Sequence, residues 1–507
     1  MDERPIETYT DEELVVVDVI LMEVEAAEQA MEAAYHSVQY TTAYHTTEWD
    51  QHQHQHSTNH HHYVGGLAPL GPSLPNVSFS GLSDFDLSED WDQDHSTFAP
   101  LQDASLLKVP AKANRTIERF VSRSALRKIH PDPDVARELC LIFLSNLSST
   151  FHSGRWKRLY SVILRRQVSF TDDSTYVRIV EVLKDGTPKL GSILHVIKDA
   201  RKGKSYEYAL GDAYYGKGIV PYTLKTEHAV NLRNREHYRL YAEASDNPIA
   251  RNLFRIYSVV RPPLKEEIHA EAKKLISMNF KSKKGKELTY LHRHDKGRWE
   301  RPEERMFVED CLDIYEICTG GGFLMPIVTD EKAGGRVVDS FTLMPGWIRN
   351  MTTVNGERLV EVDYAALHPN LAVAVYGGNA KYITHRGLAE KAGVDPGAVK
   401  KEHLSFFNKR WKDLVKSPVF DFYCETEPEL MDAMWRDKHD KGHKSTSRKL
   451  FALEVTLMTN VITQLNSEGI FVLYIYDAVM CEPRHKARVV AVMNDAAVEM
   501  GIYTTAK

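Results

Sequence analysis

GERLVEVDYAALHPNLAVAVYGG, residues 356–378, and SRKLFALEVTLMTNVITQLNSEGIFVLYIYDAVMCEP, residues 447–483, decide how this chain reads. In the first, Leu359-Val360-Glu361-Val362 is a short strand-type run that ends on Asp363. Leu367-His368-Pro369 then turns the chain into an apolar helix from Asn370 to Tyr376. In the second, Leu450, Leu457, Val461 and Leu465 recur at helical spacing, which predicts a core-packed helix over 447–467 with Gly469 as its C-terminal glycine. Phe471 to Tyr476 is β-rich, Asp477-Ala478 predicts a turn, and Val479 to Cys481 returns. The segment reads as a hairpin with a carboxylate at its tip.

Taken singly, a strand-end aspartate is more often a cap or turn residue than a ligand. Asp363 and Asp477 form a pair, 114 residues apart with helices between. That is what a two-metal phosphoryl-transfer site needs: two Mg²⁺ ions ~4 Å apart, one on the attacking and one on the leaving oxygen. Magnesium takes hard oxygen ligands and completes its shell with water and phosphate, so two carboxylates suffice when a nucleoside triphosphate supplies the rest. Glu454, on the buried stripe of its helix, reads either as a support behind the site or as a helix carboxylate paired with Arg448 or Lys449. Glu361, Tyr376 and Trp347 read equally as packing or functional residues.

Asp363-Tyr364-Ala365-Ala366-Leu367-His368 resembles motif A of the palm domain of DNA polymerases, and Tyr476-Asp477 resembles motif C. The long helix leading through a glycine into the second motif is similar to the family A arrangement. The block Thr342-Leu343-Met344-Pro345 with Arg349, then Asn355-Gly356, then Glu361 to Pro369, resembles polymerase-like palm proteins of plasmids, integrated elements and phages. The resemblance covers roughly residues 150–485. It implies an α+β fold: a palm-like antiparallel sheet with helical insertions, preceded by a winged-helix-like region. It also implies template-directed nucleotidyl transfer on primed DNA, with Asp363 and Asp477 holding two Mg²⁺ ions and the backbone around Tyr364 approaching the triphosphate. His368 would then abut the sugar as a gate against the 2′-hydroxyl. Arg349 would contact template or nucleotide. Lys400 and Lys401 would neutralise the triphosphate, although the spacing of the family's second motif is absent. Ala478 stands where family A has a glutamate, and Tyr476 where it has a histidine. Two alternatives therefore stay open: a degenerate palm serving as a replication initiator or DNA-binding factor, and a primase or RNA polymerase-like enzyme.

Upstream, WKRLYSVILRRQ (156–167) and TYVRIVEVLKDG (175–186) predict two amphipathic helices. SILHVIKDARKGKSYEYALG (192–211) and GIVPYTLK (218–225) follow as a basic wing. In a winged helix Arg165, Arg166, Arg178, Lys202 and Lys204 would touch DNA. The alternative is a small helical subdomain with solvated charges. KSKKGKELTYLHRHDKGR (281–298) reads as a phosphate-contacting stretch or as a solvated charge run.

The chain has 507 residues and a net charge of −6, divided as −18 over residues 1–110 and +12 over the rest. A basic body suits nucleic acid. Four regions are expected. Residues 1–110 are acidic, His-rich and largely disordered, with one helix over 10–35 whose apolar stripe needs the body or a protein partner. Seven histidines between 45 and 62 read as a metal-binding tract or, in preference, a polar linker. Residues 111–230 are winged-helix-like, with folded sequence resuming near Lys112, and 231–335 form a helical basic connection. Residues 336–507 form the palm-like part, with a helical insertion over 380–446. The five cysteines are scattered with no C-x-x-C pair, no apolar run is long enough to span a membrane, and the acidic N-terminus is unlike a secretory signal. An intracellular protein is expected.

Overall fold

The computed structural model describes residues 101–507 apart from 148–155, 160, 172–173, 198–205, 215–216, 283–284, 291–298, 300 and 302–303. The helix expected over 10–35 and the histidine tract lie outside the described residues, as do Lys202 and Lys204.

Folded structure begins before Lys112. β1 (Leu106–Pro110) runs directly into α1 (Ala111–Phe120). α2 (Pro133–Ser145) starts where Asp132 accepts the Asp134 amide and Pro133 occupies the first turn, where no amide donor is required. Leu139 to Leu144 on this helix are essentially inaccessible, so it forms the centre of the upstream core. The helix expected over 156–167 divides: β2 (Lys157–Arg158) is extended, and α3 (Ser161–Val168) follows. Next come α4 (Thr175–Asp185), β3 (Leu194–Ile197), β4 (Glu207–Leu210) and β5 (Ile219–Thr223). β4 is central in an antiparallel sheet of order β2-β4-β3. β5 does not belong to the wing; it pairs antiparallel with β1, Leu107 opposite Tyr222. Both departures have one cause. The partner strand lies far away in sequence, and local periodicity carries no information about it. Helix, strand, two helices and two strands in this order give a winged-helix layout, α2-β2-α3-α4-β3-β4.

α5 (Glu227–Asp246) is capped by Thr226 and carries the buried Glu236. That carboxylate accepts from Arg239 and from Arg166 of α3 at 2.9 Å each, tying α3 to α5. On α6 (Pro248–Tyr257) the fully buried Asn252 pairs with the main chain of Val472, donating to its carbonyl at 2.6 Å and accepting its amide at 3.1 Å. α7 (Lys265–Ser277) and α8 (Val308–Thr319) lead to a hairpin of β6 (Ile327–Val328) and β7 (Val337–Val338).

The downstream part combines an antiparallel sheet with packed helices. It is built on β8 (Val360–Asp363), α9 (Leu367–Tyr376), a helical insertion, then α14 (Ser445–Ser467), β9 (Leu473–Ile475), β10 (Ala478–Cys481) and α15 (Lys486–Glu499). The longer insertion helices are α10 (His385–Ala392), α11 (Pro396–Phe406), α12 (Phe420–Thr426) and α13 (Pro428–Lys441), with a single helical turn at Trp411–Leu414 between α11 and α12. The sheet is antiparallel with order β8-β10-β9. α15 packs on β8, α14 on α15, and α6 on β9. α9 starts at Leu367, earlier than expected, because Pro369 falls within the first turn, where its missing amide costs nothing. Gly469, at φ 75°, ends α14, and the Ile470 amide bonds back to Leu465 at 2.9 Å.

Candidate active site

β8 and β10 bring the two aspartates to one rim of the sheet. Asp363 lies opposite Ala478, the residue after Asp477, and the Tyr364 amide donates to the Asp477 carbonyl at 3.3 Å. Strand geometry alone keeps their Cα atoms within roughly 9 Å. The backbone is strained on both sides of the pair. Four described non-glycine residues have positive φ, and two are asparagines, which tolerate it. The other two are Ala366 (49°), three residues past Asp363, and Tyr476 (58°), directly before Asp477. Each such residue costs about 1–3 kcal/mol, and such strain gathers at sites of function.

Behind Asp477 sits a buried charge cluster. Glu454, on the inner face of α14, has no exposed surface. It takes a two-pronged bond from Arg336, Nε to Oε1 at 2.8 Å and Nη2 to Oε2 at 2.7 Å. His368 Nε2 lies 2.8 Å from the same Oε2. Arg336 is sandwiched in turn, its guanidinium 3.7 Å from the Phe451 ring centre and 4.7 Å from that of Tyr476. The cluster therefore reaches the strained residue beside Asp477. Burial alone would raise the Glu454 pKa, but Arg336 and then His368 outweigh it and hold the carboxyl at about 2. The Asp477 pKa is raised, first by burial and then by the Glu454 charge, with His368 and Arg336 opposing. An acid held up by burial beside a second carboxylate is a group that a cation would relieve.

Arg336 arrives on the hairpin β6–β7. Gly334 and Gly335 make its turn with φ of 76° and 73°. A Cβ on Gly334 would lie 2.3 Å from Cβ of Phe451, so only glycine lets the turn lie against α14.

The remaining expected residues fall elsewhere. The Tyr364 side chain is buried, donates to the Met493 carbonyl at 2.5 Å, and has its pKa pushed up by burial. The Ala365 amide is taken by the Thr505 carbonyl. Arg349 donates to the Phe341 carbonyl at 2.6 Å. Lys400 and Lys401 are exposed on α11. In the winged-helix layout Arg166 is committed to Glu236, Arg165 lies over the Tyr176 ring at 5.8 Å, and Arg178 donates to Thr175 at 2.7 Å.

Sequence reasoning missed Arg336, whose signal was a lone arginine between Gly-Gly and Val-Val in KAGGRVVDS. It also missed a basic group at the start of α14, where His443 is half-buried. Burial lowers the His443 pKa, followed by the charges of Lys444, Arg410, Lys438 and Arg448. Among the described residues no three His, Cys, Asp or Glu side chains gather as a metal-holding group.

No protein-family model matches the sequence, and no curated protein matches it. Among solved structures, the chain is similar to the POL domain of Pol1 from M. smegmatis in complex with DNA primer-template and dNTP. That likeness has 10% identity and a TM-score of 0.36 over 55% of this chain and 72% of that one. A likeness so slight carries no weight for function. Among the described residues no helix is long and apolar enough to cross a membrane.

Proposed function

We propose that this chain is a nucleotidyltransferase that extends a primer on a DNA template, using Mg²⁺ held by Asp363 and Asp477. The observation that carries the reading is the junction of these two residues at one sheet rim, Asp363 at the end of β8 and Asp477 in the turn that enters the neighbouring β10. Their donor atoms are carboxylate oxygens, the type magnesium selects. When bound, the two ions would supply Lewis-acid activation of the attacking hydroxyl and charge relief at the phosphate.

The protein's own groups do the rest. α9 begins four residues past Asp363 with no side chain capping it, so its positive end is available to an anion beside the rim. His368 is clamped by Glu454 and lies tilted against Phe451, with 5.6 Å between ring centres. A ring so held is suited to bar a sugar 2′-hydroxyl. Lys400, Lys401 and the basic start of α14 would neutralise the triphosphate. Arg349, anchored on the Phe341 carbonyl, would hold template or nucleotide. The winged-helix region would grip duplex DNA through Arg165 and Arg178, with Lys202 and Lys204 as further phosphate contacts. Service in replication of a virus or mobile element is the biological setting this reading favours.

The test is Mg²⁺-dependent incorporation of labelled deoxynucleotide on a primed template by the full chain. Asp363→Asn and Asp477→Asn should each lower incorporation by about 10³-fold or more while leaving DNA binding intact. Full activity in either variant removes the assignment. A second reading, a DNA-binding initiator with an inactive palm, is favoured by the presence of two carboxylates rather than three beside a winged-helix layout. It predicts DNA binding with no incorporation by the unaltered chain.

A further inference from the structure

β8 is an edge strand of its sheet, with β10 on one side only. Its other edge would leave the main chain of the metal-binding aspartate unpaired. Residues Thr504–Lys507 cover that edge. The Asp363 amide donates to the Lys507 carbonyl at 3.3 Å, and the Lys507 amide returns a bond to the Asp363 carbonyl at 3.2 Å. Tyr364 and Ala506 form an antiparallel bridge. The Ala365 amide donates to the Thr505 carbonyl at 2.9 Å, and the Thr504 hydroxyl donates to the Ala365 carbonyl at 2.8 Å.

The tail is itself fixed. The Ala506 amide donates to Oδ1 of Asn494 on α15 at 2.8 Å, and Ala506 and Ile502 are buried. The Tyr364 hydroxyl bonds the carbonyl of Met493, the residue before Asn494 on the same helix. Asp363 is thus held from both sides, by β10 through the sheet and by a segment that α15 clamps in place. The strained Ala366 follows within three residues, and the tail bonds stop at Ala365, where the strain begins.

We infer that Thr504–Lys507 is a positioning strand that sets the main chain of Asp363, and hence where its carboxylate meets a divalent cation. The inference rests on the reading of Asp363 as a metal ligand. It adds that this ligand is positioned by a segment more than 140 residues downstream. Because the bonds run through main-chain atoms, the identity of the Lys507 side chain is secondary and the presence of its amide is decisive. Asn494 is a positioning residue in the same sense, acting through the tail.

The test compares Lys507→Pro, which removes the amide, with Lys507→Ala, which keeps it. It also compares Asn494→Leu, which frees the tail, with Asn494→Asp, which retains an acceptor. Three quantities are measured on the full chain. The first is hydrogen exchange in the peptide spanning residues 360–366. The second is Mn²⁺ affinity by paramagnetic resonance. The third is kcat and KM for incorporation. Lys507→Pro and Asn494→Leu should exchange faster in that peptide, bind Mn²⁺ about 5–10-fold more weakly, and lower kcat about 10–100-fold with KM for primer–template unchanged. Asn494→Asp should restore most of the loss.

Equal exchange and equal Mn²⁺ affinity in Lys507→Pro and Lys507→Ala, in a parent chain that incorporates nucleotide, overturn the inference alone. A parent that binds Mn²⁺ without incorporating, and loses affinity in Lys507→Pro, upholds the inference and overturns the polymerase reading. A parent that binds no Mn²⁺ overturns the inference, whatever its activity.

Discussion

Glu454 and Asp477 carry opposite electrostatic loads, and each load makes a prediction. The folded pKa of Glu454, about 2, lies below its ordinary 4.5, so its contribution to stability is full above about pH 4.5 and is lost as pH falls toward 2. The size is about 3 kcal/mol. Glu454→Gln should therefore be less stable than the parent by about that amount at pH 7, and the gap should close toward pH 2 in urea unfolding. Asp477 is the reverse case. Its folded pKa is raised, so its charged form works against folding, and that cost is present once pH exceeds the folded value. Asp477→Asn should stabilise the chain at pH 7 while abolishing incorporation. The same urea titration measures it, and the gain should shrink in acid, where the parent's own carboxyl is protonated. The placement of both aspartates, Asp363 at the end of β8 and Asp477 in the turn before β10, was legible in the sequence because each closes a β-rich run. Arg336 was not, because the partner that defines it, Glu454, lies 118 residues away.

At the scale of elements, periodicity found what is local. The stripe of Leu450, Leu457, Val461 and Leu465 gave α14 to within two residues of its start, and the β-rich run gave the hairpin that follows. The turn falls on Tyr476-Asp477 rather than Asp477-Ala478, because Ala478 already pairs with Asp363 and Ile475. What periodicity could not find are elements defined by a remote partner: β1 on β5, β2 on β4, and the tail on β8. Those pairings carry no apolar stripe, and the tail reads only as IYTTAK. The hairpin β6–β7 makes a testable case of close approach. Gly334→Ala adds a Cβ where Cβ of Phe451 already stands, at a φ that side chains disfavour. It should cost about 2–4 kcal/mol by denaturant unfolding, and it should reduce incorporation even at temperatures where the variant is fully folded, since Arg336 is displaced. Gly356, at positive φ with open space around it, is the control: Gly356→Ala should cost only about 1 kcal/mol.

Across the whole molecule the charge division has consequences for binding. The body is basic and residues 1–110 are acidic, and β1 belongs to the body, so a cut that preserves the fold falls before Leu101 rather than near Lys112. Removing residues 1–100 should raise affinity for primer–template at low salt and steepen its dependence on salt concentration, because an acidic segment competes with phosphate for the same cations. A filter-binding titration at several salt concentrations reads this, and an unchanged slope would mean that the acidic segment does not contact the nucleic-acid face. The proposed chemistry, by contrast, rests on two side chains. The most direct measurement is Mn²⁺ binding by paramagnetic resonance in the parent, Asp363→Asn, Asp477→Asn and the double variant, with primer–template and a non-hydrolysable nucleotide present. Binding by the parent, weakened at least tenfold in each single variant and absent in the double, is the predicted result. Parent-like binding in the double variant would contradict it.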